Sequence, residues 1–200
     1  MLRRTSDVAQ NLFPGYEHME FIKKSELAIE THAILDGKVK IVRLDTGGFL
    51  MGMVGPGRMF NWNAKTNVYT IIGPSTAKNT FTHQSDIGRS VAQVAVLALD
   101  PATAATVPAQ IRVGGNILDF EQIREIVSRV KGIPKGEIVC KDLAEAKEAL
   151  KKNPSPTVFD YVKMFGAVGA LDFTKNDNEL VNPGQSLWKW KTVEEEFRGL

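Results

Sequence analysis

Helical and strand-like periodicities alternate along this chain, and that alternation restricts its fold more than any other feature. From Glu17 to Leu35 the spacing is helical, with Phe21, Ile22, Leu27, Ala28 and Ile34 on one broad face and Ile29 at its margin. Asp36-Gly37 then supplies a residue that tolerates positive φ and closes the helix. Lys38 to Leu44 alternates as a short strand, Val39 and Ile41 pointing one way, Lys40 and Val42 the other. Helix, tight turn and strand make the second half of a βαβ crossover, which joins parallel strands.

The pattern continues downstream. Asn67–Gly73, Thr80–His83, Ile111–Val113 and Glu137–Cys140 are strand-like. Ser85 or Asp86 caps a helix to about Leu99, with Ile87, Val91, Val94, Ala95 and Ala98 at helical spacing. Asp119 and Gln122 form a capping box for a helix to about Val130, with Ile117, Phe120, Ile123 and Val127 as its buried stripe and Gly132 as its stop. Asp142 caps a helix to Lys152. Val158 to Ala170 reads as another, with Phe159, Val162, Phe165 and Val168 on one face in spite of Gly166 and Gly169. Asn176 to Gln185 reads as polar loop. Thr192 caps a final short helix whose first turn holds Glu194, Glu195 and Glu196, where the helix dipole favours acids. The fold class is α/β.

Composition narrows the function classes. Two hundred residues, 43% apolar and 24% charged, suit a globular domain with a real core. The net charge of +2 comes from bases interleaved with acids, so no basic face for nucleic acid is expected. No apolar run approaches the length of a membrane span. Cys140 is the sole cysteine, which rules out an internal disulfide and fits a reducing, cytoplasmic compartment. Its place in a short strand predicts a buried, inert thiol. His18, His32 and His83 lack metal-ligand spacing, and no structural zinc is expected.

Four stretches carry a family resemblance. FIKKSELAIETHAIL, VKIVRLDTGGFLMGMV, TFTHQSDIGRSVAQVAVLALDP and NDNELVNPGQSLWKWKTVEEEF resemble, in order and spacing, the C-terminal two-thirds of the NmrA-like and isoflavone-reductase-like atypical short-chain dehydrogenases. The likeness runs from about residue 17 to the end. It implies a partial Rossmann-like parallel sheet without its first nucleotide-binding half, plus a small α/β substrate-side region. Residues 1–16 are expected to be a poorly ordered N-terminal segment, 17–54 a late Rossmann αβ unit, and 55–200 the substrate-side region interleaved with it.

The resemblance also implies NADP(H) as cofactor and reduction of a small aromatic or unsaturated metabolite. Lys24 fits the family's F-x-x-K pattern counted from Phe21, where a lysine donates a proton or stabilises developing oxyanion charge. Lys23, about 100° round the helix, remains an alternative. Gly47, Gly48 and Phe49 follow the late strand, where they let a ligand approach the backbone and wall the nicotinamide; a plain strand-to-helix turn asks for the same small residues. Thr46, Met51 and His83 are the substrate-binding candidates. His83 is equally readable as a half-buried hydrogen-bonded residue, Asp86 as a cap, and Met51, Met53 and Met59 with Phe49, Phe60 and Trp62 as core or as a substrate lid.

No strand-G-x-G-x-x-G-helix stands in the sequence, so the backbone cradle for a pyrophosphate is not supplied by these residues. Impaired catalysis is the expectation on that ground. Three explanations stand: an incomplete gene product, a chain completed by a protein partner or a second copy, or a degenerate paralogue. The functional alternatives are a reductase and a non-catalytic dinucleotide-sensing or partner-binding regulator.

Overall fold

The computed structural model describes residues 31, 38, 40–51, 62–63, 65–153 and 158–199. The expectations for residues 1–16, for the helix over 17–35 with Lys23 and Lys24, and for Met53, Met59 and Phe60 lie outside these. The described elements run β1 (Arg43–Asp45), β2 (Gly48–Phe49), β3 (Tyr69–Ile72), β4 (Asn79–Thr82), α1 (Gln84–Leu99), β5 (Gln110–Arg112), β6 (Asn116–Leu118), α2 (Phe120–Lys131), β7 (Ile138–Lys141), α3 (Leu143–Lys152), α4 (Val158–Ala167), α5 (Asn178–Val181) and α6 (Val193–Gly199).

The strands form small sheets: β1 pairs parallel with β5, β2 parallel with β4, β4 antiparallel with β6, and β3 parallel with β7. The β1–β5 and β3–β7 connections each contain helix, as parallel pairing demands. The largest core gathers Tyr69, Ile71, Phe81, Phe120, Ile123, Val127, Val193 and Phe197, so α2 and α6 close over β3 and β4. A second gathers Val94, Val107, Ile111, Val113, Val181 and Trp190, and seats α1 and α5 on β5. The outer side of the β1–β5 pair is polar: Asp45 accepts from Arg43 Nη2 at 3.1 Å and from Gln110 Nε2 at 2.5 Å.

Local signals explain most element ends. Asp119 and Gln122 form the reciprocal capping box, and Gly132 closes α2 at φ 64°. Asp142 caps α3 through the Glu145 N–H. Thr192 and Glu195 make a second reciprocal box at α6, Glu195 N–H donating to Thr192 Oγ1 and Thr192 N–H to Glu195 Oε2.

Several expectations are corrected. Helix α1 is capped by His83, not Ser85 or Asp86: His83 Nδ1 accepts the Ser85 N–H at 3.2 Å. Its buried stripe is Asp86, Ser90 and Val94, while Val91 and Ala95 face outward. Polar anchoring sets the rotation of this helix, against its apolar pattern. The helix expected over 158–170 ends at Ala167 and buries Tyr161 and Met164; Phe159 and Val168 are exposed. Gly166 sits there because a Cβ would meet Asn79 Oδ1 at 2.4 Å. Residues 176–185 hold α5 and a 3-10 turn, with Val181 and Asn182 buried. Cys140 is exposed rather than buried, because β7 has a partner on one edge among the described residues and shows its outer face to solvent. Phe49 lies in β2, and helix begins only at Leu50.

Candidate functional site

In open α/β folds a ligand lies beyond the carboxyl ends of parallel strands. Here β1 leads through Thr46 and Gly47 into β2, and β4 leads through His83 into α1. Thr82 ties these ends together. Its hydroxyl donates to the Thr46 carbonyl at 2.7 Å and receives a long 3.4 Å bond from Gly115 N–H, just past β5.

The predicted site residues in this region separate by role. Gly47 has φ 65°, and a Cβ there would lie 2.4 Å from the Thr80 carbonyl oxygen. Glycine is required because two backbones touch, and the contact is with β4. Gly48 is buried opposite Phe81. Phe49, opposite Thr82, leaves 54% of its surface exposed, and Met51 is exposed as well, with Leu50 between them fully buried. Trp62, placed with them in one apolar cluster from sequence, is core: it packs edge-on against Phe197 at 5.0 Å. Thr46 contributes its carbonyl to the Thr82 tie. Lys24 falls outside the described residues.

His83 meets residues that sequence reasoning missed. Its Nε2 lies 3.6 Å from Glu196 Oε2 and 3.4 Å from Lys191 Nζ. Glu196 is buried, and the Lys191 ammonium stands 2.7 Å from the same carboxylate oxygen. That contact is an ion pair without hydrogen-bond alignment. The Lys191 backbone is fixed on both sides. Its N–H donates to Asp86 Oδ2 at 2.7 Å, and its carbonyl accepts from Asn116 Nδ2 at 2.9 Å. Asp86, fully buried, also accepts from Arg89 Nη1 at 2.9 Å. The signal for this cluster was the fourfold spacing Asp86, Ser90, Val94, which marks an inward polar stripe at the start of a helix.

A groove of about 720 Å³ lies elsewhere, at the start and outer side of β5, lined by Pro108, Gln110, Arg112, Lys175 and Asp177 among others. Its arginine is already engaged, over the Phe173 ring at 5.7 Å and 3.9 Å from Asp45. The strand ends by Phe49 and His83 are the stronger candidate on both topology and chemistry. Among the described residues no group of His, Cys, Asp and Glu could hold a metal ion, and no helix is long and apolar enough to cross a membrane.

Parallel strands connected through helices make this a Rossmann-like α/β fold. Solved structures of isoflavone-reductase type share this fold. Isoflavone reductase matches with a TM-score of 0.62 at 13% identity, over 90% of this chain and 59% of that one. Leucoanthocyanidin reductase from Vitis vinifera, in a ternary complex, matches with a TM-score of 0.62 at 14% identity, over 92% and 61%. An NADPH-dependent quinone oxidoreductase from Escherichia coli, complexed with NADPH, matches with a TM-score of 0.52 at 17% identity, over 88% and 59%. The chain thus spans about three-fifths of the length of these structures. No family model matches the sequence, and no curated protein is a significant sequence match.

Proposed function

We propose that this chain serves NADP(H)-dependent reduction of a small aromatic or unsaturated metabolite, with the reacting centre at the carboxyl ends of β1 and β4. One observation carries the reading: nine-tenths of the chain superimposes on reductases of this fold, and the strand end that would face the nicotinamide presents the half-exposed ring of Phe49. The described residues fit the nicotinamide end of such a cofactor. Gly47 and Gly48 are committed to packing on β4 and do not form a cradle for the pyrophosphate.

When bound, NADPH supplies a hydride. The chain's own part is to wall the nicotinamide with Phe49, to line the substrate side with Thr46, Met51 and His83, and to deliver a proton from Lys24. The exposed, unpaired Cys140 suits a reducing compartment such as the cytoplasm. The same commitment of Gly47 and Gly48 favours the second reading, a dinucleotide-sensing or partner-binding protein without turnover.

Calorimetric titration with NADPH, followed by turnover assays on quinones and unsaturated aromatic ketones, tests the reading. Micromolar binding and measurable turnover are expected. Lys24→Ala should lower kcat by roughly 10²–10⁴ at unchanged cofactor affinity. A folded chain that binds no NADPH overturns the reductase reading. Binding without turnover selects the sensor.

A further inference from the structure

Helix α1 presents its polar side to the protein and its apolar side to solvent. On the inner side Asp86 accepts the Lys191 N–H at 2.7 Å, Ser90 Oγ donates to the Asp86 carbonyl at 2.8 Å, and Val94 completes the buried stripe. Successive helical residues lie about 100° apart, so the line opposite that stripe is Gly88, Ala92, Ala95 and Leu99. All four are exposed, and Val91 and Val96 flank them on either side. Leu99 keeps 81% of its surface in solvent, Val96 60% and Val91 54%. Between Arg89 and Asp100 the helix carries no charge. The outward line of a surface helix is normally polar or charged. Here the bond from Asp86 to the C-terminal segment fixes the helix the other way round, and contiguous apolar surface left outward marks an interaction face.

The pattern of that face selects its occupant. The spacing 88, 92, 95, 99 is four, three, four, the seam of a pair of packed helices. It is also symmetric about the midpoint between Gln93 and Val94. A second α1 turned about a two-fold axis at that midpoint sets its Leu99 against Gly88 and its Ala95 against Ala92, and the reverse contacts repeat. A Cβ at Gly88 would meet no atom within 4 Å, so there is room for a leucine side chain. Charge favours the same antiparallel order. Arg89 and Asp100 stand at opposite ends of the line and on the same side of it, so reversal brings Arg89 of one copy beside Asp100 of the other, whereas parallel order would set arginine beside arginine. Arg89 already holds Asp86 through Nη1, and Asp100 holds the Ala102 N–H, each with bonding capacity to spare. A closed two-fold pairing requires a surface complementary to itself, and this line meets that condition.

We infer that α1 is the interface of a homodimer, in which two copies of this chain pack their α1 helices antiparallel along Gly88, Ala92, Ala95 and Leu99. Two sixteen-residue helices in contact bury on the order of 1,000 Å² in all, the low end for specific association, so the dimer is a micromolar one.

Sedimentation equilibrium of the full chain, from low micromolar to half-millimolar concentration, should show a monomer–dimer equilibrium. Ala95→Glu puts a charge on the seam and should weaken the dimer at least about tenfold, or ~1.4 kcal/mol. Glutamate is a good helix former at this exposed position, so the melting temperature of the dilute monomer should not change. Val139→Glu, at an exposed apolar position on β7, should leave association within about threefold. Crosslinking reads the orientation. In a Cys140→Ser background, a Gly88→Cys chain mixed with a Leu99→Cys chain should form a disulfide-linked dimer on oxidation. Neither chain alone should do so, because equivalent positions then lie about 16 Å apart along the axis. Monomeric behaviour throughout would give the face to another occupant and overturn the assignment. So would a dimer that Ala95→Glu leaves intact, or a mixture that crosslinks no better than its components.

Discussion

At the scale of the residue, Asp86 is the part of this structure most easily misjudged. In sequence it stands before a helical run and looks like a cap. In the structure it is the third residue of α1, wholly buried, and it reaches across 105 positions to the Lys191 N–H. Deleting it leaves a backbone N–H and one end of the C-terminal segment without an acceptor, which costs about 2–3 kcal/mol. Asp86→Ala should therefore lower the urea midpoint strongly at a constant slope. Arg89→Ala should lower the midpoint by less, because the Arg89 guanidinium is half exposed and its pairing with Asp86 is screened by solvent. Equal losses in the two variants would refute the view that the backbone bond is what matters. Chain distance explains why the sequence hid this role: local spacing reports which face a residue occupies, not which remote N–H it meets.

At the scale of the element, α6 shows how a short helix is fastened. Seven residues are too few to stand alone. Val193 and Phe197 bury one face, Arg129 of α2 pairs with Glu194 at 2.8 Å, and Thr192 with Glu195 forms the capping box. Bonds from Arg198 and Arg129 hold the Glu194 carboxyl below its ordinary range, and the Thr192 backbone and hydroxyl do the same for Glu195. A carboxylate with a lowered folded pKa stabilises above the unfolded value near ~4.3 and loses that contribution as pH falls through the folded value. The docking of α6 should thus hold at neutral pH and weaken progressively below about pH 4. Near-ultraviolet dichroism of Trp62, packed on Phe197, follows it, and Glu195→Gln should flatten the acid limb. An acid limb of the same depth in Glu195→Gln would remove the box from this account. Such elements were largely legible in sequence, since capping boxes and stop glycines act within four residues. The rotation of α1 and the burial in α4 were not, because they depend on partners such as Lys191 and Asn79 that lie far along the chain.

At the scale of the molecule, the sheets differ in how well they are supported. β4 is bonded on both edges, to β2 and β6, and Phe81 lies in the largest core. Among the described residues β1 is bonded to β5 alone, over three residues, and its outer side is polar. Fewer apolar contacts and a more exposed ladder mean a lower opening free energy. Hydrogen exchange should therefore find the β1–β5 amides, such as Val113 N–H on the Asp45 carbonyl at 2.9 Å, opening at roughly 2 kcal/mol or more below those of β4. The candidate site draws Thr46 from the end of β1 and His83 from the end of β4, which Thr82 ties together, so a ligand held by both would brace the weaker sheet against the stronger. Saturating NADPH should raise protection at β1 and the 46–49 turn while leaving β3–β7 unchanged, because a ligand stabilises only the openings that expose its site. Uniform protection across all three sheets would place the ligand elsewhere, and a β1 as stable as β4 before any ligand is added would mean that the strand ends are already rigid and that binding has nothing there to order.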